Sequence, residues 1–150
     1  MALAANEAVF MSLEAKWSGD ADKLGGGVVN QGVRDFKRMG HPRSALSDPY
    51  IVVDITTNAN DTLTADAVRA FIRMHLYIKR QTAIGETGST QGEADAIMAD
   101  IRTVYQRATL ADQTGWSFGS VFIGRQYDVP HGDDTMLHFI TELETTVCKT

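Results

Sequence analysis

This chain of 150 residues has a single cysteine and no long apolar run. Its single cysteine, Cys148, cannot form an intrachain disulfide, which favours synthesis in a reducing cytosol. No apolar run approaches the roughly 20 residues that cross a bilayer. The N-terminal segment lacks a basic region and contains Glu7 and Glu14, so we expect neither a signal peptide nor a membrane partner.

The chain also lacks an excess of positive charge. It has 14 Lys and Arg residues against 19 Asp and Glu residues, for a net charge of −5. Dedicated nucleic-acid-binding proteins are usually basic overall or carry a basic stripe, so this balance argues against that class. It is compatible with a wall along which DNA passes, because a neutral or acidic wall does not hold phosphates.

Motifs of enzymes and nucleotide-binding proteins are scarce as well. G-x-G-x-x-G, H-E-x-x-H and C-x-x-C do not occur, and the glycines at 25–27 are not followed by the lysine and Ser or Thr of a P-loop. We therefore expect no catalytic residue, no cofactor and no metal. A hydrophobic content of 43% in a chain of this length predicts one domain, residues 1–150, that buries a core of its own.

Helical periodicity predicts two helices. In the first, Asn6–Trp17, Asn6 is a candidate N-cap. The second, Gln91–Leu110, follows Thr90 and contains Glu93, which together have the spacing of a capping box. Each helix has one apolar stripe. The stripes comprise Val9, Phe10, Leu13 and Trp17 in the first helix and Ala94, Ile97, Met98, Ile101, Val104, Tyr105 and Ala108 in the second.

Alternating and apolar runs predict four strands. A strand YIVVDITT begins after Pro49, and a polar link leads to the long alternating strand AVRAFIRMHLYIKR. After the second helix, WSFGSVFIGRQYDV predicts a third strand, weakened by Gly119 and Gly124, and TMLHFITELETTV predicts a fourth. Residues 25–47 are typical of a long loop, with one short strand near Val28. This order predicts an α+β fold: one mostly antiparallel four-stranded sheet covered on one face by two helices.

The long second strand carries a charge or an aromatic ring at each outward position. These outward residues are Arg69, Phe71, Arg73, His75, Tyr77 and Lys79. Glu142 and Glu144 face the same way from the fourth strand, and sheet faces commonly pair such side chains. We interpret both sets together as a candidate subunit or partner interface. The alternative is a single-stranded nucleic-acid patch in which Arg80 joins the basic residues and the rings stack on bases.

The histidines leave another alternative open. His131, Asp133 and His138 lie in one short segment, and two imidazoles with a carboxylate could bind a metal in a small enzyme. A polar turn entering a strand, with His138 exposed on the outer face, is the favoured interpretation because the helical spacing of zinc proteases is absent. His75 is interpreted as a contact residue, since its neighbours on the same face offer no carboxylate or nucleophile for general-base chemistry.

The order of these elements resembles that of the tail terminator, or tail-completion, proteins of long-tailed bacteriophages. The resemblance covers roughly Glu7–Val147. It rests on an N-terminal helix, an irregular region, and Pro49 and Tyr50 followed by the strand IVVDI. A strand RAFIRMHLYIK, a helix with an aliphatic stripe, a strand ending at Arg125 and a last strand LHFITELE complete it.

This resemblance implies a virion protein of the tail or neck that is assembled in the host cytoplasm and forms a ring, usually a hexamer. The ring would cap the tail tube protein, end its polymerisation and join the tail to the head-completion, or stopper, connector protein. Genomic DNA would pass through the lumen without sequence-specific binding. Proteins of this kind are not enzymes and bind no cofactor. The alternative is another neck, head–tail connector or tail tube protein of the same particle.

Overall fold

The computed structural model describes residues 4–20, 33, 35–46, 49–58, 67–79, 91–130 and 135–150. These residues form an α+β structure in which two α-helices pack on a mixed sheet of six strands. The predicted strand near Val28, the capping residue Thr90 and the basic residue Arg80 lie outside the described residues. No helix in the described ranges is long and apolar enough to cross a membrane.

The helices correspond to the two predicted ones, whereas the sheet has more strands than predicted. Helices α1 and α2 span Ala5–Asp20 and Gln91–Tyr105. A short 3-10 helix spans Arg43–Ala45. The strands β1 to β6 span, in chain order, Asp35–Arg38, Tyr50–Asn58, Ala67–Lys79, Trp116–Phe118, Phe122–Val129 and Met136–Lys149. The additional strand is β1, and the predicted third strand is divided into β4 and β5.

The sheet order is β1-β2-β3-β6, and β4 and β5 both pair with the remaining edge of β6. All pairs are antiparallel except β1 and β2, which run parallel. Since β4 pairs with the last residues of β6 and β5 with its middle, the two strands follow the course of one interrupted strand. A second irregularity lies at Gly124, where the register shifts between Ile123 and Arg125. Such a bulge bends the strand and increases its twist.

The period-two pattern of β3 is confirmed by burial. Its inward residues Ala70, Ile72, Met74, Leu76 and Ile78 are at most 1% exposed. They pack in one core cluster with the apolar stripes of α1 and α2. Because successive strand residues point to opposite faces, the charged and aromatic residues of β3 lie on the side away from the helices.

Aromatic stacking and buried hydrogen bonds fix α1 against the end of α2. The Trp17 ring stacks on the Tyr105 ring at 6.3 Å between centroids and on the Phe36 ring of β1 at 6.2 Å. Tyr105 Oη donates a hydrogen bond to the Leu13 carbonyl oxygen at 2.6 Å. Ser12 Oγ, which is fully buried, donates to the Ala111 carbonyl oxygen at 2.6 Å. Both buried hydroxyls are therefore satisfied, as a stable core requires.

The helix ends differ from the predicted ones. Asn6 is the second residue of α1 and not its N-cap, and its Nδ2 donates to the Ile55 carbonyl oxygen at 3.5 Å. Helix α2 ends at Tyr105, well before Leu110, because Arg107 adopts a φ of 59°, a left-handed conformation that ends helices. The Arg107 amide then donates to the Val121 carbonyl oxygen at 2.8 Å, so the chain leaves the helix to run beside the residues between β4 and β5.

Candidate interaction surface on the outer face of the sheet

The outer face is the side of the sheet that faces away from the helices. The strand register aligns its side chains in four rows, each crossing β2, β3, β6 and β5 in that order. The rows are Thr56–Phe71–Glu144–Phe122, Asp54–Arg73–Glu142–Arg125, Val52–His75–Ile140–Tyr127 and Tyr50–Tyr77–His138–Val129. Opposite residues in antiparallel strands have Cβ atoms about 4.5–5.5 Å apart, so members of a row can contact each other. We call the first the phenylalanine row and the second the charge row.

The charge row alternates in sign across the four strands. Arg125 binds Glu142 with two hydrogen bonds, from Nε at 2.9 Å and from Nη2 at 3.1 Å. Arg73 approaches the same carboxylate from the other side, with 3.6 Å between its Nε and Glu142 Oε1. Both arginine side chains are more than half exposed, at 59% and 67%. Exposed ion pairs add little stability, so the main effect of this network is to orient the side chains.

Tyr127 completes the contacts of the Glu142 carboxylate. Its hydroxyl donates to Glu142 Oε1 at 2.9 Å, and the Arg125 guanidinium carbon lies 4.7 Å from the centre of the Tyr127 ring. The hydrogen bonds from Arg125 lower the pKa of Glu142 most, and the Tyr127 hydroxyl lowers it further, against the opposing effect of partial burial. Partial burial and the bond to the carboxylate raise the pKa of Tyr127. At neutral pH this site therefore holds a carboxylate, two cations and a neutral phenol.

Stacked tyrosine and histidine rings occupy the opposite end of the outer face. The Tyr77 ring lies 4.3 Å from His138 and 5.2 Å from Tyr50, measured between centroids. His75 Nδ1 and His138 Nε2 are 2.9 Å apart, so one of these nitrogens donates a hydrogen bond and the other accepts it. Because that bond needs one nitrogen without a proton, the pair cannot keep it when both rings are charged.

The chain between β1 and β2 covers part of this ring cluster. Arg43 Nη2 donates to Tyr77 Oη at 2.7 Å, and the guanidinium carbon lies 4.5 Å from the centre of the Tyr77 ring. Leu46 packs on the small cluster formed by Tyr50, Val52 and Tyr77. As a result Tyr77 is only 4% exposed, although it lies on the outer face. Its ring is a packing centre within the subunit.

Burial lowers the pKa of His75 below its ordinary value. The half-buried imidazole loses hydration, and the nearby positive charges of Arg43 and Arg73 lower the pKa further. The carboxylate of Asp54 acts in the opposite direction and raises it. The net result favours the neutral ring, which is the form that shares a proton with His138.

We expect the free energy of unfolding to decrease as the pH falls below about 6.5, the His pKa of an unfolded chain. Since the pKa of His75 is lower in the folded state, the unfolded state binds the proton more readily over this range. The loss should begin near the unfolded pKa and level off below the folded one. Urea unfolding at several pH values would measure it. His75→Gln should flatten this slope, and an unchanged slope in that variant would contradict the expectation.

The phenylalanine row is the most apolar exposed part of the outer face. Phe71 is 39% exposed and Phe122 is 51% exposed, and each lies directly opposite Glu144, one on either side of β6. Glu144 is half-buried. Within the described ranges no cation forms an ion pair with its carboxylate, unlike that of Glu142.

A shallow groove joins the phenylalanine row to the charge row. Its volume is about 320 Å³, and it runs across β2, β3 and β6. The side chains that line it include Asp54, Thr56, Phe71, Arg73 and Glu142. The groove therefore has an aromatic wall beside positively and negatively charged groups. Such a lining is suited to binding a side chain of another protein.

The predicted interface residues all lie on the outer face, but their accessibility differs. Phe71, Arg73 and Lys79 are exposed, Arg69, His75, Glu142 and Glu144 are half-buried, and Tyr77 is buried. Arg69 lies opposite Thr146, and Lys79 opposite Met136, beyond the four rows at either end. That these residues contact another subunit stays a prediction.

Several residues of this surface had no signal in the sequence. Arg43 comes from a segment interpreted as a loop, and Tyr50 was predicted to begin a strand but not to belong to this surface. Arg125, Tyr127 and Phe122 belong to a strand whose glycines concealed its alternation. The bulge at Gly124 changes which residues of β5 face outward, and a period-two pattern does not continue across it.

Of the three proposed metal ligands, only His138 lies in the described part of the chain. His131 and Asp133 lie outside it, and no group of three or more His, Cys, Asp or Glu side chains in the described ranges could hold a metal ion. The expectation that His138 is simply exposed needs correction. Its ring is half-buried because it stacks on Tyr77 and bonds to His75.

The segment Gly115–Gly119 matches G-x-S-x-G, the pattern of a hydrolase nucleophile elbow. In that elbow the serine lies on a sharp turn from a strand into a helix. Here Ser117 lies within β4 opposite Cys148, and the next element is strand β5. The match therefore lacks the backbone geometry that exposes a nucleophile.

Comparison with known proteins identifies the fold. No protein-family model matches the chain, and no curated protein matches it. Among solved structures, a chain of the virion of the native gene transfer agent particle matches with a TM-score of 0.71 and 14% sequence identity. The match covers 98% of this chain and 99% of the other. The two chains thus share one fold over almost their entire lengths.

Proposed function

We propose that the chain is a structural protein of a phage-like virion and has no enzymatic activity. The observation that carries this proposal is the fold shared over 98% of the chain with a component of a gene transfer agent virion. The outer face agrees with it, since it presents charged and aromatic rows that suit contacts with proteins.

Within the virion, we propose that the protein forms a ring, taken to be a hexamer, at the end of the tail tube. The ring ends polymerisation of the tube and joins the tail to the connector of the head, and DNA passes through its lumen. The order of elements in the sequence supports this position.

The second candidate is another ring of the same particle, such as a head–tail connector or the tail tube itself. The shared fold supports it equally, because the matched chain comes from the structure of a whole virion. The two candidates differ in their partners. A terminator arrests tube growth, a tube protein polymerises into tubes, and a connector binds the head side.

Electron microscopy of mixtures tests the proposal. The purified chain is added to tail tube subunits during polymerisation, and tube lengths are compared with those formed without it. We expect shorter tubes with a ring at one end. Tubes of unchanged length without rings would reject the terminator role, and binding to isolated head connectors or self-assembly into tubes would then support the second candidate.

A matched pair of variants tests whether the outer face mediates this capping. Phe71 and Met11 are both 39% exposed, but Phe71 lies on the outer face and Met11 on α1. We expect Phe71→Thr to reduce the fraction of capped tubes, while Met11→Ala leaves it unchanged. The reverse result would assign the contact to the helical layer.

A further inference from the structure

The chain itself shows twice how the outer face holds a guanidinium group. Arg125 lies over the Tyr127 ring and donates two hydrogen bonds to the Glu142 carboxylate. Arg43 lies over the Tyr77 ring and bonds to its hydroxyl. In both cases an aromatic face and an acceptor oxygen bind the planar cation together, which is the combination that arginine prefers.

The phenylalanine row repeats this arrangement without the cation. Phe71 and Phe122 flank Glu144 from the two neighbouring strands, on the same face of the sheet. Adjacent strands are about 4.8 Å apart, so the two phenylalanines are separated by roughly 10 Å at their backbones. A flat group in contact with both rings needs about 3.5–4 Å on each side, which fits within that distance. Glu144 lies between the two phenylalanines, on the middle strand of the three.

We propose that Phe71, Glu144 and Phe122 form a docking site for an arginine side chain of a neighbouring protein subunit. The carboxylate would accept two hydrogen bonds from the guanidinium, and the rings would contact its faces. The adjoining groove beside Phe71 would receive the aliphatic part of the side chain. Arginine fits better than lysine because its charge is planar and less strongly hydrated.

The cations that neighbour Glu144 on the same face, within the described ranges, do not fill this site. Arg69 lies opposite Thr146, one diagonal position from Glu144, and forms no ion pair with it. The arginines of the charge row are directed to Glu142. Charge complementarity therefore points to a cation from outside the subunit. This inference deepens the proposed role of the outer face in assembly, and its test does not require tail tubes.

The test uses the peptide acetyl-Gly-Arg-Gly-amide, with acetyl-Gly-Lys-Gly-amide as the comparison, in NMR titrations of the full chain. We expect saturable shift changes centred on Glu144 and both phenylalanine rings, with weaker binding of the lysine peptide. Glu144→Gln should weaken binding of the arginine peptide at least about tenfold, the size expected for losing charged hydrogen bonds. Glu14→Gln on α1 removes the same charge elsewhere and should not change it.

Three outcomes would overturn the proposal: no saturable shifts, equal binding of both peptides, or arginine binding that Glu144→Gln leaves unchanged. A further variant, Arg69→Gln, tests whether the chain's own Arg69 occupies the site. If Arg69→Gln binds the peptide and the natural chain does not, the site is filled from within the subunit and the partner assignment is wrong. Tube capping by a chain that fails these titrations would leave the proposed function intact and reject only this site.

Discussion

Tyr105→Ala should lower the free energy of unfolding by about 3–5 kcal/mol, the usual cost of removing a large buried aromatic side chain. Tyr105 is fully buried, and its ring stacks on Trp17 while its hydroxyl bonds to the Leu13 carbonyl oxygen. The change would leave a cavity where α1, α2 and the sheet meet. Since domains of this size are typically stable by about 5–15 kcal/mol, it would remove a large share of the total.

Tyr105→Phe is the matched control for this prediction. It keeps the ring and removes only the hydroxyl, so we expect a loss of about 1 kcal/mol. Equilibrium urea unfolding, followed by circular dichroism, measures both variants, and the slope with urea should stay constant if the unfolding remains two-state. Equal losses in the two variants would show that the hydrogen bond, and not the packing of the ring, dominates at this junction.

The faces of long regular elements could be predicted from the sequence. Every residue of the stripe predicted for the second helix is buried, from Ala94 to Tyr105 within α2 and also Ala108 beyond its end. In β3 the outward residues were assigned to the correct face, because a shift of one residue would bury charges and expose the core. Such patterns predict the buried face well, because many residues of one long element must all fit the same periodicity.

Short elements and element ends could not be predicted as well. Strand β1 has four residues, and its sequence DFKR has one buried apolar side chain, Phe36. Its parallel pairing with β2 depends on contacts far apart in the chain, including the stacking of Phe36 on Trp17. Helix α2 ends early because the backbone at Arg107 turns left-handed to pair with Val121, and an apolar stripe carries no information about that bond.

The strands that carry the candidate surface could be predicted from the sequence. The residues that lie opposite each other on neighbouring strands could not. The outward residues of β3 and β6 could be identified, whereas the alignment of Phe71, Glu144 and Phe122 in one row depends on register. Register in turn depends on the bulge at Gly124 and on the break between β4 and β5 that begins at Gly119. Glycine in a strand often marks such irregularities, but the sequence does not say which strand pairs there.

Ile72→Ala should lower the free energy of unfolding by about 2–5 kcal/mol, because it removes most of a side chain buried among core residues. Ile72 is 1% exposed and belongs to the cluster shared by both helices and the sheet. The adjacent Phe71 points the other way and is 39% exposed. Phe71→Thr keeps a residue that favours strands, so we expect it to cost less than about 1 kcal/mol.

Comparing these neighbouring variants separates what the strand does for the fold from what it does for assembly. Urea unfolding gives the stability of each, and tube capping is then measured at a temperature where both remain folded. We expect Ile72→Ala to cap normally under those conditions, and Phe71→Thr to be stable but defective. A large stability loss in Phe71→Thr would mean that the outer ring packs within the subunit. Normal capping by a stable Phe71→Thr variant would instead remove Phe71 from the interface.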